Sequence, residues 1–194
     1  MKKYSMLSLA LALGIFQLSA QSGKISKEDR SFLVNYLEVT QQDLLQSLND
    51  LSEAEWLTKP ADGGWSPAEC MEHIVQAEKA VFMQVKKALK EPAGKDDLSA
   101  RDGWLMCKIT DRGNKVQTPL PPSGKEQSKT TLIAAFNASR AEILRFLEDK
   151  KLPLRTHYGK SPYGKADAYQ LMLVIAGHSM RHTNQILETV ALVN

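Results

Sequence analysis

Two histidines stand four residues apart in "AGHSMRHTNQILE", residues 176–188, although the whole chain has only four. On an α-helix, positions i and i+4 lie one turn apart on the same face, so His178 and His182 can aim ring nitrogens at one point. The residues just upstream (Leu171, Met172, Leu173, Val174 and Ile175) are apolar, which turns that face inward. His73 falls among inward-spaced residues of an earlier, well-signed helix. Neutral imidazole suits zinc, nickel, iron or copper, and metal sites in helical bundles are built from side chains on facing helices. Three protein nitrogens would leave a position for water or substrate, as in catalytic zinc sites, whereas a closed shell would be structural. The competing account is a set of hydrogen-bonded core histidines without an ion. His157, in a Gly-rich polar stretch, reads as solvated.

Other reactive groups have simpler roles. Cys70, three residues before His73, shares its helical face and could offer a thiolate, but a small buried apolar residue is the favoured reading. Glu69 closes a capping box and could also orient His73 from one turn away. Gln185 could hydrogen-bond a ligand or substrate, or serve between helices. Trp65, just before a helix cap, reads as a hydrophobic staple or lid in preference to a substrate wall. Tyr158 and Tyr163 read as surface packing. Asp111 and Arg112 read as an ion pair or turn former.

Four helices must position these groups. Apolar residues at steps of three and four, including Phe32, Leu33, Leu37, Val39, Leu44 and Leu48, predict the first over residues 26–51. "LTKPADGG" breaks that pattern. "WSPAEC" then signs the second: Ser66 as cap, Pro67 at the first helical position and Glu69 three residues after the cap. It runs to about residue 90 and stops near Pro92 and Gly94. Residues 92–125 form a long connection that must pack on the domain or serve a site, with a short helix possible in "LSARDGWLMCKI". The third helix is expected over residues 126–148 and the fourth over 166–193, with "LPLRTHYGKSPYGK" as loop between them. No segment alternates convincingly with period two. The fold class is therefore all-α, an antiparallel four-helix bundle with a long crossover between helices two and three.

Composition narrows the setting. Two lysines followed by an apolar run at residues 6–18, too short to span a bilayer, read as a secretory signal over residues 1–20. Residues 21–194 then form a single domain of about 174 residues that is secreted or periplasmic, with no stable membrane insertion. The net charge of +3 includes Lys2 and Lys3, and no basic run or basic–aromatic stripe points to nucleic acid. One disulfide between Cys70 and Cys107 is permitted but not required. A homodimer would need an apolar outer stripe on the first or fourth helix.

Taken in order, "GWSPAECMEHI", "ITDRGNKVQTPLPPSG" and "HSMRHTNQI" resemble the DinB-like family of four-helix metalloproteins. The resemblance spans most of the chain, from the first helix to Leu187. It implies a bundle with its crossover between helices two and three and a divalent ion (zinc, nickel, iron or manganese) held by His73, His178 and His182. It further implies a metal-dependent hydrolase, or a transferase using a small thiol, acting on an unidentified small molecule. A non-catalytic metal-binding or structural module is the alternative. A signal peptide would carry the chain away from the reducing compartment where small thiols abound.

Overall fold

The computed structural model describes residues 23–61, 63–125 and 127–193; the stretch read as a signal lies outside them. Four long helices form the bundle: α1 (Lys27–Asn49), α3 (Pro67–Ala88), α5 (Lys129–Phe146) and α6 (Ala168–Val193). Two short helices, α2 (Glu53–Leu57) and α4 (Asp102–Thr110), and a hairpin of β1 (Tyr158–Ser161) and β2 (Gly164–Asp167) complete it.

The cap signals act as the sequence predicts. Ser66 accepts from Glu69 N while Glu69 accepts from Ser66 N, and Pro67 opens α3, whose last turn carries Lys86 and Lys87 where a helix dipole favours cations. Asp167 and Gln170 exchange the same pair of bonds at the start of α6. In α1 the inward stripe is Leu33, Leu37, Thr40, Leu44 and Leu48. Phe32 and Val39, expected inside, lie off that stripe and are exposed.

Three features differ from expectation. A second capping box, Ser52 with Glu55, starts α2, which buries Trp56 against the bundle. Residues 158–165, expected as loop, and residues 166 and 167, expected to open the fourth helix, form an antiparallel hairpin in which Ser161 pairs with Gly164 across Pro162 and Tyr163. Gly164 takes a φ of +97°, a conformation that favours glycine. The third concerns direction: the expected long crossover between the second and third long helices is present, but the bundle is not antiparallel throughout. Arg30 reaches the Leu147 carbonyl, so α1 and α5 run antiparallel. Tyr169 donates to the Asp29 carbonyl, so α1 and α6 run parallel. Thr189 meets the Trp65 carbonyl, so α3 and α6 run antiparallel. The order is therefore up, down, down, up: α3 and α5 are parallel neighbours, and the crossover of residues 89–128 returns the chain to its starting end.

That arrangement brackets a polar layer between two apolar clusters. One contains Leu33, Leu37, Phe82, Ile143 and Leu173, the other Leu44, Met71, Ile74, Phe136 and Ile186. Between them on each helix stand Thr40, Glu78, Arg140 and Ser179, all buried. Arg140 donates from Nε to Glu78 Oε1, from Nη1 to Leu37 O and Thr40 Oγ1, and from Nη2 to Glu78 Oε2 and Ser179 Oγ. Each N–H of the guanidinium thus has an acceptor, and one side chain ties all four bundle helices.

Candidate metal centre

The three histidines expected to converge do so. His73 comes from the second turn of α3 and the others from consecutive turns of α6, which runs antiparallel beside it. His73 Nε2 lies 3.1 Å from His178 Nε2, and His182 Nε2 lies 3.2 Å from the same atom. One ligand atom from each ring lies within 4.8 Å of the other two. His73 and His182 are buried, and His178 is partly open.

The partners of the opposite ring nitrogens fix the tautomers. His73 Nδ1 is 2.8 Å from the Leu120 carbonyl, which only accepts, so Nδ1 carries the proton and Nε2 a lone pair. Gln185 Oε1 accepts from Arg112 Nη1 at 3.2 Å, so His182 Nδ1, 2.9 Å from that oxygen, must also donate to it. Two Nε2 lone pairs therefore face the third ring, and a single N–H on His178 could point at only one of them. Burial, with the neighbouring rings and Arg181 adding to it for the α6 pair, drives all three pKa values down; His178 falls to about 3, and the Leu120 bond partly offsets the shift at His73. The rings are thus neutral at pH 7, the form that binds metal. Two nitrogens about 2.0–2.1 Å from a tetrahedral ion lie roughly 3.2–3.4 Å apart, so the observed spacing fits a shared cation.

The surroundings sort the remaining expectations. Glu69 is spent on its capping box and on Lys59 at 2.6 Å; the Leu120 carbonyl, not Glu69, orients His73. Next to His73, buried Glu72 accepts from Ser123 N with both oxygens at 3.1 Å, so adjacent residues of α3 grip the crossover. Cys70 is buried in an apolar cluster with its thiol pushed up to about 12, chiefly by burial, and stands outside the histidine group. Both cysteines are free, Cys107 on the surface. His157 is not solvated: half-buried, it packs at the end of α3, 3.2 Å from the Ala88 carbonyl. Asp111 is a turn former, bonding Gly113 N and Asn114, whereas Arg112 pairs with Glu188 at 2.7 Å.

Trp65 packs against the apolar cluster of Leu44, Met71 and Ile186 and also covers the site, its ring 4.9 Å from that of His73 and stacked at 5.8 Å on that of His182. The rings open on a cleft of about 910 Å³ between the α6 face, the crossover and the hairpin tip. Tyr163 lines that cleft and donates to the Lys108 carbonyl, while Tyr158 bonds the Asp96 carbonyl on the surface, as expected. Gly177 precedes His178, and a Cβ there would collide with Ile109 of α4. The crossover helix thus lies directly on the backbone that carries two of the histidines. Gln185, read from the sequence as able to hydrogen-bond a ligand or substrate, bonds the His182 ring, whereas Glu72 as crossover anchor and the Leu120 carbonyl left no signal there.

A family model of the DinB superfamily matches residues 36–186. The chain belongs to the DinB superfamily. Among solved structures it is similar to one described as "YfiT from Bacillus subtilis is a probable metal-dependent hydrolase with an unusual four-helix bundle topology". Identity is 17%, the match covers 87% of this chain and 90% of that one, and the TM-score is 0.59. At that identity the likeness speaks for the fold, and the up-down-down-up order is the topology this DinB-superfamily chain adopts. A search of curated proteins finds no match. No helix among the described residues is long and apolar enough to cross a membrane.

Proposed function

We propose that His73, His178 and His182 hold a divalent metal ion through Nε2 and that this chain is a metal-dependent hydrolase of a small molecule bound in the cleft. One observation supports the reading: three ring nitrogens, two of them with lone pairs facing inward, converge on the wall of a large cleft. An ion held this way supplies a Lewis acid that lowers the pKa of a nucleophile at its remaining position toward neutrality. The chain's own residues do the rest. The Leu120 carbonyl and Gln185 hold two rings in the metal-binding tautomer, and Arg112 holds Gln185 in turn. Trp65 screens one side of the rings from water. The open side toward the cleft supports turnover over a closed structural site. The description of YfiT as a probable metal-dependent hydrolase adds weight. The apolar run at residues 6–18 supports export; where small thiols are scarce, water is favoured over a thiol as the nucleophile. Neutral imidazoles suit zinc, nickel or iron, and the family resemblance adds manganese.

The test is elemental analysis of protein purified without a histidine tag. Wild type is expected to carry about one ion per chain, and His178→Ala almost none while remaining folded. Hydrolysis of a panel of small esters and amides should disappear on chelation and return with the ion. A metal-free wild type that takes up no added ion overturns the reading. A metal-loaded protein inert toward the panel would leave a binding module.

A further inference from the structure

The three ligands are neutral, so nothing in that set offsets the charge of an ion. The cleft beside them adds more positive charge. Arg181 lines it, 7% exposed, one residue before His182 and three after His178. Its guanidinium donates from Nη1 to the Asp111 carbonyl and from Nη2 to the Asn114 carbonyl at 2.6 Å. Both acceptors are neutral, and among the described residues no carboxylate forms an ion pair with Arg181.

Among the described residues, the acidic groups near Arg181 are engaged elsewhere. The Asp111 carboxylate turns onto its own loop, accepting from Gly113 N at 2.9 Å and from Asn114. Glu188 is taken by Arg112, whose Nη2 and Nε lie 2.7 and 3.2 Å from Oε2. Lys115 and Lys160 also line the cleft. The contrast with Arg140, which meets a buried carboxylate with two nitrogens, is direct. A largely desolvated guanidinium without a counterion is costly, and a neighbouring divalent cation raises that cost. The carbonyls leave N–H groups of the fork unused, and that fork matches the oxygens of a carboxylate or phosphate.

We infer that the substrate of this cleft carries an oxyanion, a carboxylate or phosphate group, and that Arg181 binds it beside the three imidazoles. The inference rests on the proposed metal site and names the substrate class for it. Arg181 also braces the crossover through its two carbonyl bonds, so a test must separate anion binding from bracing.

The experiment is calorimetric titration of the full zinc-loaded chain with benzoate, with the neutral isostere benzamide and with inorganic phosphate. Wild type is expected to bind benzoate or phosphate at least about tenfold more tightly than benzamide, the scale of one charge-assisted hydrogen bond. In Arg181→Gln that preference should vanish while zinc content and benzamide affinity stay unchanged. Arg181→Lys, which keeps the charge but loses the fork, should weaken the anion several-fold and leave benzamide alone. It decides the matter should Arg181→Gln not fold. The larger of the two anion affinities distinguishes carboxylate from phosphate recognition. Equal affinity for anion and amide in wild type overturns the inference. So does an anion preference that survives both substitutions at full zinc content, because the anion would then sit on the ion alone. Failure to load zinc would instead strike the metal reading, so the two failures are distinguishable.

Discussion

Two buried polar groups lie within a few residues of each other on α3 and α6, and they end in opposite ways. The Arg140 layer is closed. Its charge meets the Glu78 carboxylate, and every remaining N–H finds an oxygen on α1 or α6. The histidine trio is open. The outer nitrogens of His73 and His182 are satisfied by Leu120 and Gln185, but the inner nitrogens of the trio face one another. Closed networks specify packing; convergent lone pairs call for something from outside. Both are largely buried beside the apolar clusters, so burial alone does not separate structure from function here. The bookkeeping of donors and acceptors does.

The sharpest way to break the contrast is to unbalance the closed side. Arg140→Met would leave the Glu78 carboxyl buried without its partner, and the expected loss is about 3–5 kcal/mol of unfolding free energy, read by urea denaturation. Adding Glu78→Leu should recover most of it. A single substitution that costs no more than a surface change would show that the layer ties nothing together.

On the open side, Gln185→Leu removes the acceptor that holds His182 in its tautomer. Metal affinity is expected to fall about 10–100-fold by competition with a chelating dye, while the metal-free fold changes by less than about 1 kcal/mol. Unchanged affinity would mean that the ring is oriented by packing alone.

The last effect is acidification of the metal-free protein. All three rings are held below the usual histidine range, so between pH 7 and 5 the unfolded chain takes up protons near 6.5 that the folded chain refuses. The state that binds more protons gains as pH falls, so stability should drop, by roughly 2 kcal/mol for each ring that stays neutral to pH 5. Asp167, pushed up to about 6 mainly by burial, works in the opposite direction, because its folded carboxyl holds a proton that the unfolded one releases. A His178→Ala/His182→Ala variant isolates the effect: its pH slope should be flatter than that of wild type.

Much of this was legible in the sequence because it is local. Ser66, Pro67 and Glu69 announce α3 within four residues, and the i to i+4 spacing of His178 and His182 is set by helix geometry alone. The DinB-like motifs then joined His73 to that pair, which spacing could not do. The hairpin was missed because strands of four residues, "YGKS" and "GKAD", are too polar and too short to alternate, and their pairing depends on the helices beneath. The parallel placement of α3 and α5 left no trace in either helix, since it is a property of the crossover's path. Arg140 and Glu78 sat on apolar stripes, at the spacing of Phe136 and Ile143 and of Ile74 and Phe82. One such charge reads as noise, and only contact between the helices turns two of them into a bond.

The crossover reaches the histidine-bearing helices from its middle and from near its end. Ile109 lies against the glycine before His178, and Leu120 and Ser123 are bonded to His73 and Glu72. Seating that strap and aligning the rings are consequently one equilibrium, and linkage makes the influence mutual: a molecule lodged beneath the strap that tightens the ion's hold by some factor must itself be held more tightly by the same factor once the ion is present.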